Sequence, residues 1–187
     1  MIKNEKGIHD KKSQWNKDWA EVKDIYFWRL RQHYFAVADK LVGTVCDIGC
    51  GPGYLCGFVK PNESLYTGVD ISQVGLDYGK MLFPAANFVQ ADMAVDTLPF
   101  GDNSFDTVVM SEIIEHLLDY SNLLKEAHRI CANRIVITVP IDLYNDDHVW
   151  PIWTEEDIRR EFRFLGNIQN IVRDEVYNFN LVTIYKK

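Results

Sequence analysis

Between Thr44 and Pro140 the chain alternates short apolar runs rich in β-branched residues with stretches of helical periodicity, and no other feature restricts the fold as much. The runs "TVCDIG", "LYTGVDI", "ANFVQAD", "SFDTVVMS" and "NRIVITVP" read as strands. Between them "YLCGFVK" and "SQVGLDYGKMLF" read as helices, and "EIIEHLLDYSNLLKEAHRIC" as one or two more. Strands this apolar, separated by helices, pair in parallel and are covered on both faces. "TEEDIRREFRFLG" opens with a Thr cap and an acidic first turn and closes on Gly166, which predicts another helix. The last stretch, "NIQNIVRDEVYNFNLVTIYKK", holds two strand-like runs with no room for a helix between them, so they are antiparallel neighbours. The expected fold class is α/β, a Rossmann-like doubly wound sheet of seven strands with the last one reversed.

Ahead of the first strand, Trp15, Trp19, Val22, Tyr26, Leu30, His33, Val37 and Leu41 fall at steps of three and four. They predict an amphipathic helical lead-in, whole or broken in two, whose aromatic stripe packs on the sheet or lines a pocket. No linker, repeat or low-complexity tract interrupts the chain. The expectation is one domain over residues 1–187, with a helical lead-in at 1–42 and a core at 43–187.

The stretch "VCDIGCGPGY" at 45–54 places Gly49, Gly51 and Gly53 at the exit of the first strand. A strand that only had to stop needs one glycine; three ask for a ligand held against the backbone. In an open parallel sheet the first strand-to-helix turn lies where strand order reverses and ligands bind. A dinucleotide fingerprint requires G-x-G-x-x-G, but Tyr54 stands where the third glycine belongs, and no Gly-Lys-Ser/Thr follows to make a phosphate loop.

"VCDIGCGPG" resembles the first motif of the class I S-adenosylmethionine-dependent methyltransferases, in particular a type 11-like methyltransferase domain. "YTGVDIS", "FVQADM" and "LPFGDNSFDTVVMSEIIEHL" resemble the following motifs in order, so the likeness spans residues of about 44 to 140. The resemblance implies strand order 3-2-1-4-5-7-6 with strand 7 antiparallel, and S-adenosylmethionine as cofactor with S-adenosylhomocysteine as product. It implies a cofactor site of Asp47, Gly49, Cys50, Gly51, Gly53, Asp70, Ile71, Asp92, Met93 and Ser111. Asp70 then grips the two ribose hydroxyls, which one carboxylate can do because it accepts from both. Asp92 faces the adenine amino group with Met93 beside the ring, and Asp47 helps to hold the methionine amino end. Ser72 is available to cap the next helix, which leaves Asp70 free of that duty.

Glu112, Glu115 and His116 fall at steps of three and four just past the fourth strand, and His148 in "NDDHVW" could converge on them. In some families of this fold a similar E-x-x-E-H with a later histidine binds a divalent metal, while many methyltransferases similar to "EIIEHL" use none. The reading taken is no metal, with His116 or His148 as general base, because imidazole titrates near working pH. Trp150 and Trp153, with Tyr26, Trp28 and Tyr34, either roof an acceptor site or close the core.

With 20 basic against 27 acidic residues the net charge is -7, no footprint for a nucleic-acid backbone. Four cysteines without a C-x-x-C pair, a polar beginning and no long apolar run argue for a cytoplasmic protein away from DNA and membranes. The sequence thus points to a methyltransferase acting on oxygen or nitrogen of a small molecule, its oligomeric state open. The rivals are a metal-assisted RNA 2′-O-methyltransferase, an NAD-dependent dehydrogenase and a non-catalytic S-adenosylmethionine binder.

Overall fold

The computed structural model describes residues 11–59, 63–141, 148–150 and 153–186, with backbone alone at 11, 18 and 21–30. Seven strands form one sheet: β1 (Val45–Ile48), β2 (Tyr66–Asp70), β3 (Asn87–Gln90), β4 (Phe105–Ser111), β5 (Cys131–Pro140), β6 (Asn167–Asp174) and β7 (Phe179–Tyr185). Their spatial order is β3-β2-β1-β4-β5-β7-β6. The first five are parallel, and β7 runs antiparallel to both β5 and β6, as two strands joined by a short turn must.

Parallel central strands are buried on both faces, and alternate residues here feed two separate cores. Val108, Met110, Ile135 and Ile137 face a cluster with Leu123, Ile130, Ile158 and Phe162. Val109 and Val136, between them in sequence, face a second cluster with Trp19, Val37, Tyr66 and Leu76. The first cluster is closed by α3 (Ser121–Ile130) and α4 (Glu155–Phe162), the second by α1 (Lys11–Ala38) and α2 (Gln73–Leu82). Thr154 and Asp157 form a complete capping box at the start of α4, as its Thr and acidic turn predict. Ser72 caps α2 by accepting from the Gly75 N–H at 3.2 Å.

The lead-in, expected whole or broken in two, is one continuous helix of 28 residues. Two sequence expectations are corrected in detail. "YLCGFVK" folds as a 3₁₀ turn over Tyr54–Phe58, because Gly53 in the left-handed region (φ 70) starts it and Val59 is already extended. "EIIEHLLDYSNLLKEAHRIC" is not helical at its start. A 3₁₀ turn covers only Ile114–His116, α3 begins at Ser121, and Glu112 lies outside both with a left-handed φ of 53°. The three residues therefore do not share a regular helical face. Among the described residues no helix is long and apolar enough to cross a membrane.

Phe88 on β3 ties the glycine loop to the sheet. Its ring lies where a Cβ on Gly53 (2.7 Å), Gly68 (3.0 Å) or Gly79 (2.7 Å) would go, so those backbones close around it. Truncation of this buried ring in Phe88→Ala is expected to cost about 3–5 kcal/mol in urea denaturation.

Candidate active site

Order 3-2-1-4 means that the chain moves one way from β1 and then returns to its other side, so a crevice opens beyond the C-terminal ends of β1 and β4. Asp47 and the glycine loop lie at the end of β1, Ser111 at the end of β4, and Asp70 at the end of the neighbouring β2.

Asp70 organises the loop. One of its oxygens accepts from the Gly51 N–H and the other from the Ser72 N–H, each at 2.8 Å. Gly49 N–H and Cys50 N–H donate to the Val69 carbonyl at 2.8 and 3.1 Å, which folds the loop back over β2. Gly51 has φ 53°, and a Cβ there would run into the Trp19 ring, so both conformation and space demand glycine. Burial raises the Asp70 carboxyl, and its backbone hydrogen bonds to Ser72, Gly51 and Ile71 pull it back down.

Asp47 accepts from the Tyr66 hydroxyl at 2.7 Å. Burial pushes its carboxyl up to about 7; the Tyr66 bond opposes this and the charge of Asp70 adds to it. Cys50 is buried with its thiol on the Gly51 carbonyl, and burial raises it well above the usual thiol range. Ile71 is half-buried and accepts from the Gln90 side chain at 2.9 Å. Met93 is buried, while Asp92 is half-exposed and uses one oxygen to close a local turn on Ala94 N–H at 3.0 Å. Ser111 shares a 2.8 Å hydrogen bond with Thr138 across β4 and β5. All ten predicted cofactor residues therefore lie at the strand ends or in the turns that follow them.

On the other side of Ser111 stands the acidic and imidazole group. Glu115 is fully buried and neither oxygen accepts a hydrogen bond. Burial raises the carboxyls of both Glu112 and Glu115, Glu112 to about 7, and the negative charge of Glu112 raises Glu115 further. His148 does converge on this turn: the His116 and His148 rings are 4.8 Å apart and edge-on. The Glu115 carbonyl clamps the following segment by accepting from Val149 N–H at 2.7 Å and Trp150 N–H at 3.2 Å. Ligand atoms of Glu115, His116 and His148 lie within 4.8 Å of one another.

The aromatic roof is mostly core. Trp153 is buried and stacked on Phe162 at 5.5 Å, and Tyr34 is buried beside Tyr54 and Phe58. Trp150 is 40% exposed at the rim, with its indole N–H on the Leu117 carbonyl. The side chains of Tyr26 and Trp28 lie outside the described residues. Sequence reasoning missed two features. Trp15 meets His116 edge-on at 5.1 Å, and His33 on α1 reaches within 3.9 Å of Glu112. Periodicity placed these residues on the inner face of the helix, but not the turn they would meet.

A family profile described as a methyltransferase domain matches residues 46–135. The ajmaline N-methyltransferase of Rauvolfia serpentina is 28% identical over 116 residues, 58% of this chain and 39% of that protein. The ubiquinone/menaquinone biosynthesis C-methyltransferase UbiE of Geotalea daltonii is 29% identical over 104 residues, 51% of this chain and 44% of its own. The chain therefore spans less than half the length of these relatives. Magnesium protoporphyrin IX methyltransferase of Synechocystis PCC 6803, solved with bound S-adenosylmethionine, shares the fold with a TM-score of 0.69 at 19% identity. That match covers 89% of this chain and 84% of the other. The glycine loop clamped by a strand-end aspartate, the reversed seventh strand and the methyltransferase domain matched over residues 46–135 agree in supporting a class I S-adenosylmethionine-dependent methyltransferase.

Proposed function

We propose that this protein transfers a methyl group from S-adenosylmethionine to an oxygen or nitrogen of a small molecule. The observation that carries the choice of atom is the pair of imidazoles, His116 and His148, edge-on beside Ser111 at the open end of β4. A heteroatom acceptor arrives with a proton that must leave, and imidazole is suited to take it near neutral pH. A carbon acceptor also gives up a proton, so the position of the transferred methyl is what separates the two cases. Bound S-adenosylmethionine supplies an electrophilic methyl on a sulfonium, and alignment of the acceptor with it provides much of the rate.

In this reading Asp70 holds the ribose hydroxyls, and the Gly49–Gly53 backbone approaches the methionine portion. Asp47 supports the amino end, Asp92 and Met93 border the adenine, and Ile71 and Ser111 complete the walls. His116 and His148 hold or accept the acceptor's proton. The net charge of -7 disfavours a nucleic-acid acceptor. The missing third glycine disfavours a dehydrogenase.

A second reading has one observation in its favour. Two imidazoles and a carboxyl group whose oxygens have no hydrogen-bond partner form a donor set suited to a divalent transition metal, which would favour the ionised form of Glu115 that burial disfavours. Glu115, His116 and His148 would hold the ion, which would lower the pKa of an acceptor hydroxyl.

The proposal is tested by incubating the protein with labelled S-adenosylmethionine and a cell extract. Label should appear in the small-molecule fraction on oxygen or nitrogen; label confined to macromolecules or to carbon would overturn it. Asp70→Asn is expected to weaken both S-adenosylmethionine and S-adenosylhomocysteine roughly 10- to 100-fold by calorimetry, the worth of hydrogen bonds to a charged group.

The raised Asp47 carboxyl gives a pH dependence with a definite sign. Below about 7 it is neutral, and a cationic ligand prefers it ionised, so affinity should rise as pH passes upward through about 7. Asp47→Asn should flatten that rise in the same titration. The metal reading predicts that cobalt(II) binds the folded protein with a visible absorption band and that Glu115→Gln weakens it at least ~10-fold.

A further inference from the structure

The N-terminal two and a half turns of α1 lie across the crevice from one end to the other. Asn16 Oδ1 accepts from the Ser72 hydroxyl at 2.8 Å and from the Val74 N–H at 3.3 Å, immediately beyond the ribose-binding position Asp70. Trp19 is 8% exposed and rests on the Gly51 backbone, its ring occupying the place of a Gly51 side chain and lying 3.1 Å from that of Gly75. Trp15 stacks with Trp19 at 6.4 Å and meets His116 at 5.1 Å. Residues 15, 16 and 19 share one face of the helix, so one rigid element touches the ribose end, the glycine loop and the acceptor end together.

Beneath this cover the crevice is closed around the glycine loop and Asp70, while Ile71, Asp92 and Ser111 keep partial exposure at its rim. Asp47, Cys50, Asp70 and Met93 are all buried, and Ser72 has no exposure at all. A nucleoside with an amino-acid arm cannot reach Asp70 or the glycine loop without something moving. The strands that carry those residues are fixed by continuous parallel pairing on both sides of β1 and β2. The tip of α1 is held to them by side-chain contacts. Further along, α1 is anchored, with Val37 fully buried and His33 packed 4.2 Å from Phe179. An unbroken helix from His33 back to Trp15 is a lever about 27 Å long, so a tilt of about 15° at the anchor moves the tip roughly 7 Å.

We propose that the first two and a half turns of α1 are the moving wall of the cofactor site: Trp15, Asn16 and Trp19 close over the bound nucleoside and must undock for it to enter or leave. The contact of Trp15 with His116 makes the same movement felt on the acceptor side. This inference rests on the placement of the cofactor at Asp70 and the glycine loop.

The test is a reversible lock. In the double variant Asn16→Cys with Val74→Cys, oxidation staples α1 to α2, and the four native cysteines are buried and out of reach. S-adenosylhomocysteine association is then followed by stopped flow with and without dithiothreitol. The locked protein is expected to associate at least ~20-fold more slowly, with dithiothreitol restoring the rate; equal rates would overturn the proposal. Should the staple fail to form, Trp15→Ala and Trp19→Ala serve instead. Each is expected to speed S-adenosylhomocysteine dissociation at least ~10-fold, and unchanged dissociation in both would overturn the gate. If the folded, reduced protein binds no S-adenosylhomocysteine at all, the cofactor placement itself falls and takes the gate with it.

Discussion

One carboxylate at the tip of β2 holds the site together. Asp70 accepts from Gly51 N–H in the loop and from Ser72 N–H at the start of α2, so the glycine bend, the second strand and the second helix meet at one charged group. Charge-assisted hydrogen bonds of this kind are among the stronger polar contacts in a protein and have fixed directions. They explain why the loop can be rich in glycine and still hold one shape. Phe88 completes the arrangement from below by filling the spaces that Gly53, Gly68 and Gly79 leave.

The crevice is a concentration of buried carboxyls, whose charged forms burial disfavours. Asp47, Asp70, Glu112 and Glu115 all have carboxyls raised by burial, within a protein that is acidic overall. Left alone, such a set is costly, since burying charge without a partner is among the largest penalties in folding. On the proposed placement, a sulfonium cofactor would answer one side of that set. On the other side, imidazoles and a left-handed Glu112, the kind of local strain that collects at functional sites, surround the fully buried Glu115.

How much was legible in advance depended on how local each signal was. The strands, the capping box at Thr154 and the Ser72 cap rest on neighbours in sequence, and they form where the residues suggest. The family motifs carried the sheet order, which periodicity alone does not give. Local reasoning failed where tertiary contacts overrode it. "EIIEHL" has helical spacing, yet Glu112 takes a left-handed backbone and donates its N–H to Thr138 on β5. Tyr34 and Trp153 could have roofed the acceptor site or closed the core and prove to be core, because whether an aromatic ring faces a crevice or a sheet depends on residues far away in the chain.

The sequence by itself determined the class of fold, the glycine bend and the aspartates at the strand ends, because each follows from periodicity, backbone freedom or a motif a few residues long. Only the tertiary structure decided which groups share one space. It brought His148 to His116, left the Glu115 carboxyl oxygens without a hydrogen bond, set Trp15 against His116 and laid Trp19 over a loop more than 30 positions away. Those juxtapositions come from how helices settle on a twisted sheet, a long-range packing outcome that no short stretch of residues encodes.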